Sequence, residues 1–272
     1  MTRTRLITAI CKAVVKLSSI LTTCSEQPTN SSNSQNQNVY IVPQAFRDAL
    51  ACHLYMLYTI MIFTEGEMKV TKTLSKSQEK EFQSMIQSIR EQCAHAMLTA
   101  CKAMSSCNAN LWKRGVPDES VIAIPCRIAY QMLENCTGAT ARKAAFGDVA
   151  LQMIGMTLKT TDVLLNTVVA ALVDMMHSYE HMAPLAAELC GFFHNSEDKL
   201  SIELLREIGR LDGCASSSDA TGKASGIRNV APFLNELAEK KPELVLENIS
   251  LVLPHLQSEP YNLRSAIVVA IG

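Results

Sequence analysis

Apolar residues recur along this chain every three or four positions, the period of a helix that is wet on one side and buried on the other. In the first stretch Leu6, Ile10, Val14, Leu17 and Leu21 follow that spacing, with Lys12 and Lys16 on the opposite face. A polar run over residues 25–38, rich in Ser, Asn and Gln, then has no apolar period and reads as a linker. Past it, Pro43 sits where a first helical turn tolerates proline, and Phe46, Leu50, Leu54, Leu57 and Met61 share one side. Ser75 and Gln78 have the spacing of a capping box. They predict a long helix burying Phe82, Ile86, Ile89, Cys93, Met97, Ala100 and Met104, with Lys80, Gln83, Gln87, Arg90 and Glu91 in water. Trp112 falls in a turn over 111–117, and Pro125 is expected to divide the helix that ends near Cys136.

From there the spacing predicts helices over 140–159, 161–179, 181–194 and 198–211, a Ser/Gly-rich loop over 213–222, and helices over 225–240, 243–256 and from 261 onward. Short helices with one apolar stripe each, joined by short turns, bury that stripe only against their sequence neighbours. This is the logic of an all-α superhelix, a solenoid of HEAT or armadillo type. The organisation it predicts is an N-terminal helix over 1–24, the linker over 25–38 and helical repeats over 39–272. Residues 243–272 have the order of one HEAT unit: an apolar helix carrying Leu253-Pro254-His255-Leu256, a polar turn, then Arg264 and a helix in which Ala266 and Ala270 permit close approach. The apolar Ile267, Val268, Val269 and Ile271 stand at the end without a polar cap, so the array is expected to be incomplete there.

Composition sharpens this reading. The chain is 48% hydrophobic but only 5% aromatic, which suits helix packing over sheet sandwiches. Its formal net charge is -1, so any hold on nucleic acid needs a local patch. The ten cysteines form no CxxC pair, and Cys52, Cys93, Cys101, Cys126 and Cys190 lie inside apolar helical patterns, as free buried thiols do. Sequons at Asn30, Asn135 and Asn248 are then chance matches. Lys12 and Lys16 interrupt the stretch a secretory signal needs, and 50–63 is too short for a membrane span.

Candidate chemistry is sparse. His177-Ser178-Tyr179-Glu180-His181 fits the HxxEH spacing of inverted zinc peptidases, in which two histidines on one helix face hold zinc and the glutamate serves as base. Pro184 follows closely, so the helix carrying His177 is expected to end nearby, leaving two surface histidines at a hairpin turn. Thr221-Gly222-Lys223-Ala224-Ser225 lacks the first glycine, the hydroxyl residue and the preceding strand of a phosphate loop. No catalytic, cofactor-binding or metal site is expected. Small basic clusters occur at Lys113/Arg114, Arg142/Lys143, Arg206/Arg210, Lys223/Arg228 and Lys240/Lys241. In a solenoid such pairs can align into a ridge for phosphates, and Arg142, Lys143, Lys223 and Arg228 are the candidates for that role.

Several stretches are similar to one known family. Residues 225–239 (SGIRNVAPFLNELAE), Leu253-Pro254-His255-Leu256 and residues 259–266 (EPYNLRSA) resemble the N-terminal region of the HEAT-repeat, non-SMC subunits of condensin. Glu180-His181-Met182-Ala183-Pro184, Leu205-Arg206-Glu207-Ile208-Gly209 and Leu111-Trp112 support the likeness, which holds from about residue 111 onward. The resemblance implies a non-catalytic scaffold without cofactor that docks on the condensin kleisin beside the SMC subunits. It also implies weak, non-specific contact with DNA or chromatin, residence on chromosomes and in the nucleus with cytoplasmic residence possible in interphase, and support of mitotic condensation. Another HEAT or armadillo scaffold, such as a transport receptor or adaptor, is the alternative.

Overall fold

In the computed structural model, the described residues are 2–26, 44–69, 75–106, 119–134, 136, 141–194, 198–211, 229–258 and 260–272. They form helices joined by short turns, with no strand among them. The helices are α1 (Thr2–Glu26), α2 (Gln44–Lys69), α3 (Lys76–Ser106), α4 (Glu119–Glu134), α5 (Ala141–Thr160), α6 (Leu165–Ser178), α7 (Met182–Cys190), α8 (Lys199–Arg210), α9 (Val230–Lys240), α10 (Pro242–Glu247) and α11 (Tyr261–Ile271). The expected all-α architecture is the one observed. The chain forms two compact units, residues 1–132 with 144–162, and residues 133–143 with 163–272.

In the first unit α1, α2 and α3 pack against one another. The α3 capping box forms as its spacing predicts: the Ser75 backbone N–H donates to Gln78 Oε1 (3.3 Å), and the Gln78 N–H to Ser75 Oγ (3.4 Å). Ile86, Ile89, Cys93, Met97, Ala100 and Met104 are buried along α3, and Leu50, Leu54, Leu57 and Met61 along α2. Each such Leu, Ile or Met side chain contributes about 1.5–3 kcal/mol.

Two faces differ from the expected ones. Helix α1 buries Ile7, Cys11, Val14, Ser18 and Leu21, and leaves Leu6 63% exposed. The stripe is rotated because the small Cys11 and Ser18 fit against their neighbours, and the Ser18 hydroxyl is satisfied by Val14 O (2.7 Å). On α3 the expected wet face includes Arg90, which is buried at 4% exposure. Its long stem adds apolar contact of its own.

Pro125 does not divide the next helix. It lies inside α4, because Ile124, Cys126, Ile128, Ala129, Met132 and Leu133 are all buried and their packing outweighs the roughly 3 kcal/mol that an internal proline costs. The α1 helix likewise runs to Glu26, two residues into the expected linker. The remaining linker, Pro43, the Trp112 turn and the 213–222 loop lie outside the described residues.

In the second unit the helices form two layers. One layer stacks α6, α8 and the segment after α10; the other stacks α7, α9 and α11. Successive hairpins therefore bury their stripes against each other, the arrangement of a solenoid. The expected helix over 243–256 is instead α10 followed by two 3₁₀ turns, Ile249–Leu251 and Leu253–Gln257. Asn248 Nδ2 donates to Leu244 O (2.9 Å), and Pro254 has no N–H to continue an α-helical ladder, so the chain tightens at this point.

Candidate functional site

The HxxEH residues are split between two elements. Helix α6 ends at Ser178, and Tyr179 is extended (φ -138°, ψ 119°), so His177 is in α6 while His181 caps the start of α7. Neither is the surface histidine expected. Both are half-buried, and His181 Nε2 donates to Leu133 O at the end of α4 (3.0 Å). His177 Nε2 is buried without a hydrogen-bond partner among the described residues. No group of three His, Cys, Asp or Glu positioned for a metal occurs among the described residues.

In the second unit a close backbone contact brings Gly209, in one of the sequence stretches that carry the family resemblance, against Leu251, two residues before another. A Cβ on Gly209, near the end of α8, would lie 2.0 Å from Leu251 O, so only glycine admits this contact. Beside it, buried His255 donates from Nε2 to Ile208 O (2.7 Å) and meets Ser258 Oγ through Nδ1 (2.9 Å). With the proton on Nε2, Nδ1 accepts from the serine hydroxyl. The Arg264 guanidinium donates to Ser258 O, tying α11 to the same corner.

A second buried cluster joins α7, α8 and α9. Asp198 caps α8, accepting from Ser201 N (2.9 Å), and its other oxygen pairs with Lys241 Nζ. Lys241 also donates to Phe193 O (2.8 Å). Asp198 and Lys241 are 0% and 6% exposed, so each charge depends on the other. Burial pushes the neighbouring Cys190 thiol up to about 12, and the same cause pushes Cys126 in the first unit up to about 12, leaving both protonated and inert. Nothing in sequence spacing announced the Asp198–Lys241 pair, because its members are 43 residues apart.

The basic clusters fare differently. Arg206 pairs with Glu203, Arg210 with Glu207 (3.0 Å) and Lys240 with Glu236 (3.3 Å), each on its own helix, while Lys241 is buried. Arg142 and Lys143 lie in the first turn of α5, their side chains outside the described part, as are Lys223 and Arg228 altogether. No helix among the described residues is long and apolar enough to cross a membrane.

No family model matches the chain. Condensin complex subunit 1 of Xenopus laevis is 24% identical to it over 242 residues, 88% of this chain and 17% of the relative. The Homo sapiens subunit of the same name is 27% identical over 165 residues, 60% of this chain and 11% of the relative. Condensin-1 complex subunit CAP-D2 of Arabidopsis thaliana is 25% identical over 252 residues, 90% and 17%. The chain thus spans less than a fifth of the length of these relatives, and matches of 242 and 252 residues are long enough to extend into both units. By that extended similarity, the chain is a relative of condensin complex subunit 1.

Proposed function

We propose that this chain is part of a non-catalytic HEAT-repeat scaffold subunit of condensin. In this reading it docks on the kleisin of the complex beside the SMC subunits, takes part in mitotic chromosome condensation and resides on chromosomes and in the nucleus. The observation that carries it is the coincidence of similarity and packing: stretches resembling the family supply Gly209 against Leu251, His255 on Ile208 O and Asn229 on His177 O, contacts between one hairpin and the next. Residues that let repeats stack are what a scaffold needs, whereas an enzyme would concentrate its signature around a reacting centre. The DNA contact in this proposal is to phosphates alone, through Arg142, Lys143, Lys223 and Arg228, because the described Arg206, Arg210, Lys240 and Lys241 are engaged by carboxylates.

Co-expression with the condensin kleisin and SMC subunits tests the assignment. A stoichiometric complex that survives gel filtration is expected. Recovery of vesicle-coat or nuclear-pore proteins in its place would transfer the chain to another class of HEAT scaffold. For DNA, replacing the four candidate residues together should weaken binding and flatten its salt dependence; an unchanged titration removes the phosphate role.

A further inference from the structure

In the first unit two thiols meet across one helix contact. Cys11 of α1 and Cys93 of α3, 82 residues apart in sequence, bring their Sγ atoms to 3.9 Å. Both belong to the core, but not equally: Cys93 is 0% exposed and Cys11 7%. Thr8, one turn before Cys11, donates from Oγ1 to Oε1 of Gln92, the neighbour of Cys93 (3.2 Å), so a second contact fixes the same register. Arg90 is buried one turn before Cys93 on α3, and its positive charge favours a thiolate at the pair. The S–H of Cys93 donates to Cys11, which holds the Cys11 thiol below its ordinary value and pushes Cys93 up. The less enclosed sulfur is thus the nucleophile, and the enclosed one keeps the proton.

We infer that Cys11 and Cys93 are a reversible redox pair: hydrogen peroxide, small enough to reach Cys11, converts the two thiols into a disulfide that clamps α1 to α3, and a dithiol reductant releases it. The Cys11 thiolate attacks one peroxide oxygen, the O–O bond breaks, and the other oxygen takes a proton and leaves as water, giving a sulfenic acid. The Cys93 sulfur then attacks the Cys11 sulfur and displaces its hydroxyl, which leaves with the Cys93 proton as a second water. The two sulfurs lose two electrons and the peroxide gains them. Bond formation asks each sulfur to advance by about 1 Å. Cys126 and Cys190, pushed up to about 12 by burial, stay protonated and outside this chemistry. The inference rests on α1 and α3 alone and is independent of the condensin assignment.

The test treats the whole chain with hydrogen peroxide, blocks the remaining thiols with N-ethylmaleimide and maps tryptic peptides without reduction. A linked pair joining residues 6–12 to residues 91–102 is expected, lost on adding dithiothreitol. The second peptide also carries Cys101, so Cys93→Ala should remove the link and Cys101→Ala should leave it; fragmentation of the linked peptide assigns the sulfur without either variant. The yield should exceed that in concentrated urea by on the order of tenfold, because native packing presets an encounter that cysteines 82 residues apart otherwise make by chance. Oxidation should also raise the thermal transition of the first unit by about 10 °C, a shift absent in Cys11→Ala. A link to Cys101 in place of Cys93, a yield that urea does not lower, or Cys11 carried to the sulfinic acid without a link overturns the inference. An oxidised chain that melts no higher than the reduced one also overturns it, since no clamp has then formed.

Discussion

Replacing Gly209 with alanine adds one methyl group where α8 meets the backbone of Leu251. On ordinary helical backbone an alanine is worth about 0.5–1 kcal/mol of added stability over glycine, because the unfolded chain has less freedom to lose. Here the new Cβ would sit 2.0 Å from Leu251 O and 3.0 Å from its carbonyl carbon, both backbone atoms that no rotamer change can move aside. The 3₁₀ segment must retreat by about 1 Å to restore normal contact, and overpacking of this kind costs roughly 1–3 kcal/mol. The retreat also draws His255 away from Ile208 O, a 2.7 Å bond whose loss leaves a buried ring nitrogen unsatisfied at about 1–3 kcal/mol more. The net expectation is a loss of roughly 2–4 kcal/mol, equivalent to a fall of about 10 °C in the transition of the second unit. Urea unfolding followed by hydrogen exchange reads it, with protection lost first in 199–210 and 249–258. An unchanged or raised midpoint refutes the reasoning, since that is how alanine behaves where there is room.

Other expected outcomes follow from the buried groups. Asp198→Ala should cost about 3–5 kcal/mol by stranding Lys241, and adding Lys241→Met should restore most of it; equal losses in single and double variants would deny the pair its role. At pH 8 a thiol reagent should modify exposed Cys52 while Cys101, Cys126 and Cys190 stay protected until unfolding, and early modification of Cys190 would contradict its environment. The pH dependence has a fixed sign: Cys126 and Cys190 are raised from 9.0 to about 12, so the unfolded chain loses their protons first. Stability from these thiols is whole below pH 9 and falls by about 1.4 kcal/mol per pH unit per thiol between 9 and 12; a flat urea midpoint over that window counts against it. Ser75→Ala should cost about 1 kcal/mol and speed exchange in the first turn of α3 alone, whereas unchanged exchange at 76–79 would mean that the cap contributes nothing.

Helix existence was legible in the sequence, because amphipathic period and caps are local properties. The α3 capping box and the buried stripe from Ile86 to Met104 came out as spacing predicts, since both depend on residues a turn apart, although Arg90 of the expected wet face is buried. What failed was what depends on neighbours. The α1 stripe rotated because a buried Cys11 and Ser18 score as poor core residues until α3 is known to lie against them, and Cys11 Sγ meets Cys93 Sγ at 3.9 Å. Pro125 stayed helical because burial on both sides outvoted a local rule. Residues 249–257 tightened into 3₁₀ turns because Pro254 and Asn248 act together, where each alone is compatible with a helix end. The histidines of the HxxEH match looked like ligands or surface groups, and only the fold reveals what His181 bonds, because its partner carbonyl is 48 residues away.

That distance leads to how successive hairpins hold their register. The last carbonyls of a helix have no partner within it and must find donors elsewhere. Three such carbonyls are met by side chains later in the chain: His181 donates to Leu133 O at the end of α4, Asn229 to His177 O at the end of α6, and His255 to Ile208 O near the end of α8, at separations of 48, 52 and 47 residues. His181 and Asn229 occupy the same structural place, the residue before the first turn of α7 and α9. Lys241 repeats the device at 48 residues by donating to Phe193 O. The side chains differ in kind (imidazole, amide, ammonium), which is why comparing one hairpin's letters with the next finds little self-similarity. What repeats is the position of a donor, not its identity. Each bond adds on the order of 1 kcal/mol, small beside the apolar stripes, but apolar stripes tolerate sliding by a turn and a bond to one particular carbonyl does not. Burial thus supplies the affinity between hairpins, and the donors fix which turn faces which.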